Sequence, residues 1–110
     1  MDNHSDNKPQ ILLAYTTFPD ENSAQKIIQM LINERVIACA NIVSAKSFFL
    51  WQENMCAENE TIAFIKTRQE NAVLLEKRLL ELHPYDIPCV IRTKAECNER
   101  YYEWVNQQCL

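Results

Sequence analysis

Among the 110 residues of this chain there is not one glycine. Every tight turn must therefore be made by a residue that carries a Cβ, and no stretch of backbone can slip up to a bound phosphate unobstructed. Glycine-rich phosphate loops such as G-x-G-x-x-G and G-x-x-x-x-G-K are excluded, and nucleotide binding through them with it. The reversals then fall to Pro, Asp and Asn: Pro19-Asp20, Glu53-Asn54, and the stretch from Pro84 to Pro88. Of these, Glu53-Asn54 is the expected hairpin reversal, because Asn tolerates the left-handed conformation that such a turn asks for.

Between these points the hydrophobic period alternates. Residues 10–18 are a short apolar, β-prone run and predict a central strand buried on both faces. Ala24, Ile27, Ile28, Leu31 and Ile32 recur at helical spacing and predict a helix over about 21–35, with Asp20, Asn22 and Ser23 available as caps. Residues 36–42 and 47–55 predict one extended strand with an irregularity at Ser44-Ala45-Lys46, and residues 60–67 the strand that returns. From Gln69 a second helix carries Ala72, Leu75, Leu79 and Leu82 on one face, and His83-Pro84 ends it. Residues 89–94 predict a fourth strand, and Asn98 the cap of a last short helix striped by Tyr101, Trp104 and Val105.

The order βαββαβ plus a terminal helix predicts an α+β, ferredoxin-like fold, with two helices on one face of an antiparallel sheet. At this length one core is expected, over residues 10–110, with residues 1–9 a polar, flexible tail. A net charge of -4 argues against nucleic acid as a partner, since that affinity depends on clustered Lys and Arg. No run approaches the ~20 apolar residues of a membrane helix, so no membrane insertion is expected. The start of the chain lacks the basic and apolar regions of a secretion signal. Five cysteines without a Cys-x-x-Cys pair predict free thiols, and a cytoplasmic location is expected. Cys39 is expected to be buried, and Cys56 and Cys109 exposed and oxidisable.

Several blocks together resemble the CutA family: Tyr15-Thr16-Thr17-Phe18-Pro19-Asp20, Ala38 to Ile42, Ser47 to Trp51, Ile65-Lys66-Thr67, His83-Pro84-Tyr85-Asp86-Ile87-Pro88, and Tyr101 to Trp104. The resemblance covers residues 10–106. It implies a homotrimer in which long hairpins pair edge to edge, with Phe48, Phe49, Leu50 and Trp51 at the interface. It also implies a role in tolerance of copper and other divalent cations, without a required cofactor and without catalysis. Of the three metal positions it carries over, His83 is kept, Thr16 stands in place of a cysteine, and Cys89 in place of a glutamate. A Cys89 thiolate beside His83 would favour copper or zinc over hard cations. Trp51, Lys66, Tyr85 and Asp86 are the pocket candidates by the same resemblance, and Glu53 stands where the family commonly has glycine. His83 has a second reading as the helix terminator, its charged form suiting the dipole. Two other functions stay open: a small-molecule sensor of the PII type, and a trimeric scaffold for an unidentified partner protein.

Overall fold

The computed structural model describes residues 8–110. It contains β1 (Gln10–Phe18), α1 (Glu21–Asn33), β2 (Cys39–Trp51), β3 (Asn54–Thr67), a single 3-10 turn (Gln69–Asn71), α2 (Ala72–Leu82), β4 (Val90–Glu96) and α3 (Glu99–Gln108). The four strands form one antiparallel sheet in the order β2-β3-β1-β4. That is the expected ferredoxin-like plan. Of the expected tail, residues 1–7 lie outside the described residues, while the Pro9 carbonyl accepts a bond from the Cys97 amide.

One face of the sheet meets both α1 and α2. Ala24, Ile27, Ile28 and Leu31 of α1 and Leu75 and Leu79 of α2 pack with Leu12, Ala14, Phe18, Ala63 and Ile65 of the strands. Each large side chain taken fully from water here contributes about 1.5–3 kcal/mol, which makes this layer the main source of stability. Among the described residues, the second face is covered at one end. There Ile11, Ala38, Val105 and Cys109 form a small cluster under α3. Cys109 is thus buried against Thr67, not exposed as expected, because α3 folds its end back onto the sheet.

Local chemistry explains the boundaries. The Asp20 carboxylate accepts from the Ser23 amide at 2.7 Å and caps α1, and this bond holds the Asp20 pKa below its usual value. The helix ends two residues before the expected boundary, in a Schellman closure: Val36 N–H bonds Leu31 O, and Arg35 N–H bonds Ile32 O. Arg35 supplies the left-handed residue at φ 61° that a glycine would otherwise provide. Asn98 precedes α3 but makes no capping bond through its side chain.

The hairpin departs most from expectation. β2 begins at Cys39, not Val36, and pairs with β3 in unbroken register from Cys39↔Lys66 to Trp51↔Asn54, so Ser44-Ala45-Lys46 is regular strand. β3 starts at Asn54, six residues earlier than the alternation suggested, because exposed polar residues hide the period there. The left-handed residues of the turn are Gln52 (φ 51°) and Glu53 (φ 68°), not Asn54. Two such residues in succession make a type I′ turn, whose twist matches that of the strands. Because β1 stops at Phe18↔Thr61, the distal half of the hairpin has no third strand beside it among the described residues.

Candidate functional site

The helix-to-strand segment after α2 is held against β1 by His83. Its Nε2 lies 2.7 Å from the Thr17 carbonyl oxygen, and its Nδ1 lies 3.2 Å from the Tyr85 amide. A carbonyl only accepts and an amide only donates, so Nε2 carries the proton and Nδ1 is the acceptor. The ring also stacks on Phe18 at 4.9 Å. Burial lowers the His83 pKa, partly opposed by the Thr17 bond and the Glu60 charge. The imidazole is therefore neutral and fully engaged, and the charged form that a helix end would favour is the disfavoured one.

This clamp sets Tyr85, Asp86, Ile87 and Cys89 opposite the hairpin. The Tyr85 hydroxyl donates to Glu60 Oε2 at 2.5 Å. Burial first, then that bond, raise the Tyr85 pKa, so the phenol remains a donor. Between turn and hairpin lies a cleft of about 510 Å³, walled by Phe49 and Trp51 of β2, Cys56, Glu58 and Glu60 of β3, and Thr17 of β1. Strand alternation explains its composition: Phe49 and Trp51 share one face of β2, while Phe48 and Leu50 point the other way. Burial and the nearby Glu60 charge raise the Cys89 pKa, which keeps its thiol protonated.

Of the sequence candidates, Trp51, Tyr85, Asp86 and Cys89 come together at this cleft. Lys66 does not. It bonds Asn41, six residues along β3 from Glu60, about 20 Å away at strand spacing. Thr16 points toward the helix layer, fully buried, and its hydroxyl has no hydrogen-bond partner among the described residues. The metal positions thus do not fit one preformed site: Thr16 points into the helix layer, away from the cleft that Cys89 lines, both nitrogens of His83 are bonded, and no group of three His, Cys, Asp or Glu donors suited to a metal occurs among the described residues. Cys56 and Glu58 were not legible as site residues, because they lie before the strand expected over residues 60–67; Glu60 opened that strand, but no sequence signal brought Tyr85 to it.

With this geometry in hand, comparison with known proteins is decisive. Residues 12–108 match the family model described as CutA1 divalent ion tolerance protein. The chain belongs to the CutA1 family. The divalent-cation tolerance protein CutA of Pyrococcus horikoshii is 39% identical over 99 residues, which is 89% of this chain and 97% of that one. The CutA of Thermotoga maritima is 33% identical over 101 residues, covering 91% and 100%. The crystal structure of CutA1 from Pyrococcus horikoshii superposes with a TM-score of 0.88, covering 90% and 98%. A CutA from Nostoc described as PII-like superposes at 0.85 with 24% identity over 90% and 97%, a likeness of fold alone.

Proposed function

We propose that this chain closes into a homotrimer that serves in the response to divalent cations, copper among them, the role for which the CutA family is named. The observation that carries the trimer is the distal hairpin. Among the described residues, 45–51 and 54–60 pair only with each other, and a two-stranded ribbon in water is marginal. Phe48 and Leu50 stand 69% and 66% exposed on it, with Met55 beside them. The sheet also leaves two unlike edges, β2 and β4. Unlike edges that meet between copies give a head-to-tail contact, which a ring closes. Native mass measurement tests this, with three subunits expected and a stable single subunit at micromolar concentration sinking the reading. Five free thiols suit a reducing compartment such as the cytoplasm.

A copper or zinc ion near His83 and Cys89 requires the imidazole to release Thr17 or Tyr85, and the Cys89 thiol to lose its proton. Metal titration tests that site: a stoichiometry unchanged by His83→Ala together with Cys89→Ser rejects it. A second reading, a trimeric small-molecule sensor of the PII type, is favoured by the cleft, whose volume lies in the range of ligand pockets. A thermal-shift screen of small ligands separates the two, since a ligand that binds only the folded form stabilises it.

A further inference from the structure

The cleft between the hairpin and the turn after α2 carries charge of one sign. Glu58, Glu60 and Asp86 bring three carboxylates to it, and no Lys, Arg or His lies among its walls. The rings of Phe49, Trp51 and Tyr85 share its walls with them. Each class of ligand meets this arrangement differently. An anion is repelled. A neutral apolar molecule strips water from carboxylates and gives them nothing in return. A bare dication wants several donors converging on one point, and the described residues supply no such set. A cation with an apolar body satisfies both halves of the wall, because ammonium groups are attracted to carboxylates and to the faces of aromatic rings alike.

We propose that this cleft binds a small organic cation, an ammonium or guanidinium group on an apolar body, with Glu60 and Glu58 as counter-charges and Trp51 and Phe49 as the walls. The Tyr85 hydroxyl holds the Glu60 carboxylate in place, so that little ordering is left to be done on binding. Glu58 and Glu60 lie two residues apart on one face of β3, a separation of about 6.6 Å, which brackets a bulky ammonium better than a compact ion. The proposal rests on the reading that this cleft is the ligand site, and it holds whether or not the protein also handles metal.

The test is calorimetric titration of the full chain with benzyltrimethylammonium, beside benzyl alcohol as the neutral probe and benzoate as the anion. Saturable binding of the cation is expected, one per subunit, with a Kd on the order of 0.1–1 mM, the affinity of a fragment-sized ligand. It should weaken as salt is raised, since part of the attraction is screened. Glu60→Gln and Trp51→Ala should each weaken it about tenfold or more, as loss of a charge partner or an aromatic face of ~1–2 kcal/mol implies. Glu58→Gln gives a second reading should either variant fail to fold, and Glu103→Gln, at the opposite end of the sheet, should leave binding unchanged. Equal affinity for benzyl alcohol overturns the proposal, as does absence of saturation up to about 10 mM cation. Native mass measurement of the same samples keeps the two readings apart: a trimer that ignores the cation sinks this proposal alone, and a single subunit that binds it sinks the trimer alone.

Discussion

The Nε2–H of His83 donates to the carbonyl oxygen of Thr17 at 2.7 Å, and so ties the end of α2 to the last residues of β1. The opposite ring nitrogen accepts from the Tyr85 amide, and a second ring proton would face that donor. Burial already lowers this pKa, with the Thr17 bond and Glu60 opposing. The unfolded chain therefore takes up a proton first on acidification. The His83 contribution to the stability of the metal-free protein should be constant above about pH 6.5, fall as pH drops through that value, and level off below the lowered pKa of the folded state. A His83→Asn variant should lack this step between pH 7.5 and 5.5. Melting temperature against pH for both proteins checks it, and parallel curves would show that His83 is not the titrating group.

Thr16 carries a buried hydroxyl that finds no partner among the described residues. An unpaired buried polar group costs about 1–3 kcal/mol, and valine has nearly the same shape without it. Thr16→Val should stabilise the protein by about 1 kcal/mol, read as a higher denaturation midpoint with unchanged slope. Lower stability would mean that an internal water pairs with the hydroxyl.

Arg35 and Glu53 occupy left-handed conformations at φ 61° and 68° that favour glycine. Arg35→Gly at the close of α1 and Glu53→Gly in the hairpin turn should each stabilise by about 0.5–1 kcal/mol, the left-handed penalty less the extra freedom glycine has when unfolded. The two sites are far apart in the fold, so their effects should add in denaturant titrations at a fixed protein concentration.

Phe48 and Leu50 face away from the cleft and from the monomer's core. Phe48→Glu with Leu50→Glu should shift the native mass from three subunits to one, with any loss of far-ultraviolet dichroism confined to the strand signal of the distal hairpin, which is marginal without a neighbour. A trimer that survives both charges would place the interface elsewhere.

The order of elements was legible because two periods, 3.6 and 2, are written in residues that are buried against something. Ala24, Ile27, Ile28 and Leu31 announced α1, and the alternation over residues 60–67 announced a strand, whose core face proved to carry Ala63 and Ile65. Legibility failed where that pressure is absent. Residues 54–60 are strand because Ala45 to Trp51 pair with them, although most are exposed and polar. Cys109 gave no sign of burial, since its position depends on where α3 comes to rest.

The sequence by itself determined the alternation of strand and helix, the absence of any glycine-built phosphate loop, and the family motifs around His83. Only the tertiary structure decided which side chains share the cleft, and that His83 spends both ring nitrogens on the backbone. The reason is physical: periodicity reports which face of an element is buried, whereas a site is assembled from β1, the β2–β3 hairpin and the turn after α2, segments whose meeting is fixed by the packing of the whole domain.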